Sequence, residues 1–317
     1  IRQAEWAMAQ IVSGRATEAQ MGGFLIALRS KGVVAEELVG FRDAVLEAAV
    51  PLPGDTRMVD IVGTGGDRQH TVNISTTASI VVAAAGVPVL KHGNRAVSSS
   101  SGASDVLEAL GLVPADEDPA AVRRILEEAG ISFAWATRFH PGFRHAGPVR
   151  APLGVPTVFN VLGPLVNPAR PEVTLVGVAD KRVIEQFVGV FATRGATALV
   201  VRGEDGLDEL TTTGHSELWE VARGDVVEHD IDPRELGIAR ARLDDLRGGS
   251  AEHNADVLRR TLAGEQGAVR DIVLLNAAAA LVAWRLDGDV RQKDRPLVER
   301  LAEELEVART AIDSGAA

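Results

Sequence analysis

The chain contains no cysteine. Disulfide staples, thiolate nucleophiles and cysteine-ligated zinc are therefore excluded from its chemistry. It has no apolar run able to span a bilayer: the stretch 277–282 is far too short, and no segment reads as a signal peptide. A reducing cytoplasm fits that reading. Basic residues are also in deficit, with 33 Lys and Arg against 44 Asp and Glu, a net charge of −11. Nonspecific nucleic-acid binding needs the opposite balance. No internal repeat and no low-complexity tract is present; the serines at 98–101 are too few to be more than a loop. What remains is a chain of 317 residues, 46% hydrophobic and 24% charged, enough for one large or two modest globular domains.

The first fifty residues have a helical pattern. Thr17-Glu18-Ala19-Gln20 resembles a capping box, and Met21, Phe24, Leu25 and Leu28 follow at helix spacing until Gly32. Residues 36–49 repeat the pattern with Leu38, Phe41, Val45 and Leu46, and Pro51-Leu52-Pro53-Gly54 marks a boundary. These apolar faces exceed what a small helical unit buries alone, which predicts a two-fold interface. From residue 58 the pattern alternates. Strands are expected at 59–62, 87–90, 132–134, 173–178 and 198–201, with helices between them, as at 182–192. That alternation predicts an α/β fold, a mostly parallel sheet flanked by helices. Residues 218–221 and 226–230, joined by Arg223-Gly224-Asp225, read as an added hairpin. The proline-rich 141–171 breaks the rhythm.

Two strand–loop–helix units carry the chemistry. In the first, Asp60-Ile61-Val62 runs into Gly63-Thr64-Gly65-Gly66-Asp67, then Asn73-Ile74-Ser75-Thr76 and an apolar helix stopped by Gly86. Glycine lets such a loop bring main-chain N–H groups to a ligand, and the helix N-terminus favours an anion. The second unit has a strand at 87–90, a polar loop at 91–102 and a helix at 103–110. Two such loops at adjacent strand ends can hold one polyphosphate. In a chain of this net charge, Lys91 and Arg95 are the positive groups to expect there.

With those residues stated, the chain resembles the anthranilate phosphoribosyltransferases. The resemblance rests on Gly63 to Asp67, Asn73 to Thr76, Lys91-His92-Gly93-Asn94-Arg95 and Ser98-Ser99. It continues through His140-Pro141, Pro148-Val149-Arg150, Phe159-Asn160-Val161-Leu162-Gly163-Pro164-Leu165 with Asn167-Pro168, and Asp205-Gly206-Leu207-Asp208-Glu209. These motifs follow in order over most of the chain, where a lone glycine loop would be weak.

The resemblance implies transfer of the phosphoribosyl group of phosphoribosyl pyrophosphate to the anthranilate amine, in tryptophan biosynthesis, by a homodimer joined through its helical domain. It implies a smaller discontinuous helical domain, 1–53 with 141–171 packed back onto it, and an α/β domain of 54–140 and 172–317, in the nucleoside phosphorylase and phosphoribosyltransferase manner. For phosphoribosyl pyrophosphate it implies Gly63, Gly65, Gly66, Asp67, Thr71, Asn73, Ile74, Ser75, Thr76, Lys91, His92, Gly93, Asn94, Arg95, Ala96, Val97, Ser98, Ser99 and Ala103. At Ala103 many relatives carry serine, so one phosphate contact is in question. For anthranilate it implies Gly63, Asn94, His92, His140, Phe143 and Arg150, with Thr137 a softer candidate. For Mg²⁺, two ions per site, it implies Ser75, Asp208 and Glu209.

Each residue also has a bland reading. An isolated Asp-Glu pair is usually a solvated turn; here it follows a strand end, where open α/β sheets bind ligands. Arg150 would by default be a surface arginine, but guanidinium matches a carboxylate with paired hydrogen bonds. A lone histidine is more often packed than catalytic, and neither His92 nor His140 is assigned as a general base. The reaction asks little of one, since an aniline-type amine is neutral at pH 7. Two rivals stand against this reading. Pyrimidine nucleoside phosphorylases share the plan but run longer and carry a different loop at 91–95. A nucleic-acid-binding relative would show a basic face.

Overall fold

The computed structural model describes residues 1–94, 101–112 and 118–317. Arg95, Ala96, Val97, Ser98 and Ser99 lie outside the described residues. Three helices open the chain: α1 (Arg2–Val12), α2 (Glu18–Lys31) and α3 (Ala35–Glu47). The capping box at Thr17 is present, with Gln20 N–H donating to the Thr17 hydroxyl and Thr17 N–H donating to the Gln20 side chain.

The strands are β1 (Val59–Gly63), β2 (Val89–Gly93), β3 (Ile131–Trp135), β4 (Val173–Gly177), β5 (Thr197–Gly203), β6 (Ser216–Ala222) and β7 (Asp225–Ile231). They form one sheet in the order β3-β2-β1-β4-β5-β6-β7. The first five are parallel, and β6 and β7 are antiparallel additions. The hairpin is tighter than expected. Arg223 and Gly224 alone form the turn, both with positive φ (52° and 89°), the twist two-residue hairpins favour.

Helices α4 (Ile74–Ala84), α5 (Ala103–Ala109), α6 (Pro119–Ala129), the short α7 (Ala136–Phe139), α8 (Gly147–Leu153), α9 (Phe159–Leu162) and α10 (Ile184–Arg194) interleave with the strands. Then α11 (Ala251–Leu262), α12 (Ala268–Gly288) and α13 (Leu297–Asp313) close the chain. One core joins α4, α12 and α13 to one sheet face. The apolar 277–282 lies inside α12 and is buried there. No helix among the described residues is long and apolar enough to cross a membrane. The second core joins α1, α2 and α3 with α10 and the opposite face, and it includes Ala146, Val149, Phe159, Leu162 and Leu165 of the proline-rich stretch.

Two expectations need correction. Lys91 and His92 are not in a loop: β2 runs to Gly93, and both side chains are buried, 3% and 2% exposed. A central parallel strand can bury a lysine when acceptors meet its ammonium, as described below. The second correction concerns the apolar faces of the first helices. Leu25, Leu28, Phe41, Val45 and Leu46 are already buried within one chain, because that bundle packs on the sheet and α10. Phe24 packs edge-on against Phe41 at 6.0 Å. Those five buried residues are therefore not free to supply a dimer interface, whereas Phe24 stays half-buried.

Candidate active site

The strand order reverses direction between β1 and β4, the crevice where open α/β sheets take ligands. Gly63 and Gly177 end these two strands and stand opposite each other in register. A Cβ on either would run into Asp208: on Gly63 into its carboxylate, on Gly177 into its main chain. The missing side chains let the loop after β5 cross over both strand ends. Asp208 then reaches the glycine loop, where Gly65 N–H donates to its Oδ2 at 2.7 Å. Gly65 and Gly66 have φ of 66° and 79°, and Arg68 and His70 also have positive φ (60° and 53°), so this loop carries backbone strain.

Three carboxylates gather here. Asp67 is hydrogen-bonded to Asp208, and burial together with mutual repulsion pushes Asp208 up to about 7 and Glu209 well above its ordinary value. Ser75 N–H donates to Glu209 from the start of α4. Lys91 lies beneath. Its Nζ donates to the Ile61 carbonyl at 2.5 Å and to Ser75 Oγ at 3.1 Å, and it faces Asp60, Asp208 and Glu209. Its ammonium thus braces the first loop from below.

The donor set suits a hard cation: carboxylate oxygens and one hydroxyl, crowded enough that burial and mutual repulsion raise the carboxylate pKa values. Among the described residues, no three acidic or imidazole side chains converge closely enough to cage a metal by themselves. A cation here would take its remaining oxygens from water or a bound anion.

The α4 start divides its residues. Ile74 and Thr76 point into the core; Ile74 N–H donates to the Val72 carbonyl at 2.8 Å, while Asn73 and Ser75 are half-buried at the surface of the crevice. Thr71, half-buried, makes an isolated bridge to Arg247. Ala103 opens α5 beside Gly93, with 3.5 Å between its Cβ and one built on the glycine. Asn94 is exposed at the end of β2, and its carbonyl accepts from Ser104 N–H at 3.4 Å.

The acceptor candidates form a ladder of rings. His92 and His140 are 5.1 Å apart, His140 stacks on Phe143 at 5.1 Å, and Phe143 meets Phe159 at 5.6 Å. The Arg150 guanidinium lies 5.3 Å from the Phe159 ring. No carboxylate among the described residues forms an ion pair with Arg150, and burial lowers its pKa. Burial likewise holds His92 down at about 3 and His140 at about 4, so both rings are neutral. His92 Nδ1 is 3.0 Å from the Gly163 carbonyl. Thr137 is exposed on α7 and takes no part in the ladder.

Sequence reasoning passed over the residues that hold the site in place. Asn276 of α12 receives Leu210 N–H at 3.0 Å and donates to the Leu210 carbonyl at 2.9 Å, pinning the residue next to Glu209. Asn254 of α11 donates to Asn73 Oδ1 at 2.9 Å, and Asn73 Nδ2 donates to the Ser101 carbonyl at 3.2 Å. Asp205 accepts from the hydroxyls of Thr211 (2.7 Å) and Thr213 (2.6 Å). An asparagine inside the apolar run 272–283 of α12 was the one visible signal.

Asp60, which opens the first glycine motif, has a role that its sequence context does not show. It is fully buried, accepts from His92 N–H at 3.1 Å and from Asn167 Nδ2 at 3.0 Å, and burial pushes it up to about 6. The folded state therefore holds this proton more tightly than the unfolded state. Its contribution to stability is present below 3.8 and is lost as pH rises through about 6. Asp60→Asn should flatten that part of the profile, a difference on the order of 2 kcal/mol. Urea unfolding at pH 4 and pH 6.5 checks this; equal losses in both proteins would refute the assignment.

A mostly parallel sheet with a glycine loop at its switch point and an appended helical bundle defines a class, and comparison with known proteins agrees with it. Residues 55–317 match the glycosyl transferase family, a/b domain, and residues 2–49 match the glycosyl transferase family, helical bundle domain. The chain belongs to the anthranilate phosphoribosyltransferase family. The anthranilate phosphoribosyltransferase of Leifsonia xyli subsp. xyli is 60% identical over 317 residues, covering 100% of this chain and 90% of that one. The crystal structure of anthranilate phosphoribosyltransferase from Thermus thermophilus is 40% identical, with a TM-score of 0.89 over 99% of this chain and 91% of its own. The Saccharomyces cerevisiae enzyme in complex with phosphoribosyl pyrophosphate and Mg is 27% identical, with a TM-score of 0.86 over 98% and 87%. The yeast enzyme in complex with 4-fluoroanthranilate is 26% identical, with a TM-score of 0.86 over 99% and 88%.

Proposed function

We propose that the crevice between β1 and β4 binds phosphoribosyl pyrophosphate and that the ring ladder ending at Arg150 binds anthranilate. The amine then attacks C1 of the ribose. The C1–N bond forms as the C1–O bond to pyrophosphate breaks, and the amine loses one proton. The observation that carries the reading is that β2 joins the two groups: Lys91 faces the crowded carboxylates, and His92 beside it opens the ring ladder that ends at Arg150, a half-buried arginine with no ion pair among the described residues.

Main-chain N–H groups at Gly66 and Thr76, with the Asn73 side chain, cradle the phosphates. Gly63 leaves room at the strand end, and Gly93, Asn94 and Ala103 form the facing wall. Arg150 orients the anthranilate carboxylate, and neutral His92 and His140 with Phe143 hold its ring. Asp208, Glu209 and Ser75 would hold Mg²⁺, two ions per site, with Asp67 beside them. The cation, when bound, stabilises charge that grows on the departing pyrophosphate. These residues bind and align, and no triad is required.

The yeast relative with both phosphoribosyl pyrophosphate and Mg supports this reading. We place the protein in the cytoplasm, since its phosphorylated substrate carries charges that do not cross a bilayer unaided. Loss of anthranilate fluorescence on adding phosphoribosyl pyrophosphate and Mg²⁺ tests the activity; phosphorolysis of uridine without anthranilate turnover would overturn it.

A homodimer through the helical bundle also belongs to this reading, with different residues. Trp6 is 67% exposed and Ile26 39% exposed, on α1 and α2. Light scattering at micromolar concentration should give twice the chain mass, and Trp6→Glu should shift it toward monomer. A wild-type monomer would refute the interface.

A further inference from the structure

At the opposite end of the sheet, three arginines from separate parts of the chain line one cleft. Arg42 comes from α3, Arg170 from the segment leading into β4, and Arg194 from the last turn of α10; Thr174 and Phe191 form its floor. The cleft opens to solvent at its mouth. Thr174 is the second residue of β4, whereas the site described above lies beyond its last residue, Gly177.

The charge in this cleft is not balanced. Arg42 is buried, 8% exposed; its Nε donates to the Leu165 carbonyl at 3.2 Å and its Nη1 to Asp43 Oδ1 at 2.5 Å. Among the described residues, Asp43 is the one carboxylate paired with any of the three, and neither Arg170 nor Arg194 forms an ion pair. Two positive charges are left over in a protein of net charge −11. Burial and repulsion from Arg42 and Arg170 hold Arg194 down at about 10.

The backbone is also strained there. Arg170 has φ of 53° immediately before Pro171, a region unfavourable for a side chain of this size. It is held by its N–H to the Asn167 carbonyl at 3.0 Å, and Asn167 is itself anchored on Asp60 and on the Leu90 carbonyl at 2.9 Å. A simpler account is that Arg194 offsets the α10 dipole while its guanidinium rests 5.8 Å from the Phe191 ring. That explains one arginine and leaves the convergence of three unexplained.

We propose that this cleft is an oxyanion site, distinct from the catalytic crevice, that takes a phosphate group between Arg42, Arg170 and Arg194. The phosphate is either free or the terminal group of a small phosphorylated metabolite. Guanidinium forks match tetrahedral oxyanions, and an occupant would relieve the repulsion among the three. It would also tie α3 of the helical bundle to α10 and the β4 approach, so binding favours the packed arrangement of bundle and sheet.

The test uses the whole chain with its catalytic crevice filled by Mg²⁺ and phosphoribosyl pyrophosphate, without anthranilate. Inorganic phosphate should raise the Tm above matched ionic strength of chloride. Arg170→Gln with Arg194→Gln should bind phosphate roughly tenfold or more weakly for each guanidinium removed, the size of a lost charge-assisted contact. KM for both substrates should stay unchanged. If the double variant does not fold, Arg170→Gln alone serves, since its side chain is exposed. A second arm with ribose 5-phosphate separates the sources: an equal rise assigns the site to phosphate esters, and no rise assigns it to free phosphate. An equal phosphate effect in wild type and variant would overturn the proposal. So would a variant that turns monomeric with no phosphate effect in wild type, which would give the cleft to a carboxylate of a second copy.

Discussion

Replacing Asp208 with Asn and Glu209 with Gln is expected to lower kcat by about 10²–10³-fold, the scale for removing preorganised electrostatic stabilisation of a developing charge. The two carboxylates stand with Asp67 in a crowded pocket where burial and mutual repulsion raise their pKa values. Among the described residues, no third acidic or imidazole side chain converges with them closely enough to cage a metal. A cation they hold therefore draws on pyrophosphate oxygens, and the two must bind cooperatively, each tightening the other by one factor. Calorimetric titration of phosphoribosyl pyrophosphate with and without Mg²⁺ measures that factor, which should shrink in the double variant. The fold should persist, because neutral side chains relieve repulsion at this site. Gly65 N–H keeps an acceptor in the Asn oxygen. Undiminished coupling in the variant would remove these residues from the metal site.

Arg150→Ala should raise the KM for anthranilate far more than that for phosphoribosyl pyrophosphate. The guanidinium is half-buried against Phe159 and has no protein carboxylate to satisfy it among the described residues. A charge-assisted bidentate pair with the acceptor carboxylate puts the loss in kcat/KM on the order of 2–4 kcal/mol. Arg150→Lys should recover little, since a point charge cannot reproduce the planar fork. An unchanged anthranilate KM would show that the acceptor lies elsewhere.

The elements that read most easily were those with local signals. Thr17 with Gln20, the apolar runs ending at Gly86 and Gly111, and the Arg223-Gly224 turn all act within a few residues of chain. The end of β2 was misjudged because Lys91 and His92 look like loop residues on composition. The acceptors around Lys91 Nζ, supplied by Ile61 and Ser75, together with the carboxylates it faces, make its burial tolerable. The apolar faces around Leu25 and Phe41 were correctly seen as too large for a small bundle. Their partner was misassigned, because a periodic pattern states that a face is buried but not what covers it. Arg150 and the Asp208-Glu209 pair were legible through motif resemblance, whereas Asn254 and Asn276, which pin the loops, carry no such pattern.

The sequence alone determined the secondary-structure alternation, the glycines that permit the phosphate loop, the excess of acid, and the family to which the chain belongs. These are properties of short segments and of composition, which need no long-range contact to be expressed. The tertiary structure alone decided that Gly63 and Gly177 make room for the same Asp208, that Lys91 braces the loop from beneath, and that Arg42, Arg170 and Arg194 share a cleft. Each of these joins residues separated by tens to more than a hundred positions. Such meetings depend on strand order and register across the whole sheet, and no local pattern encodes them.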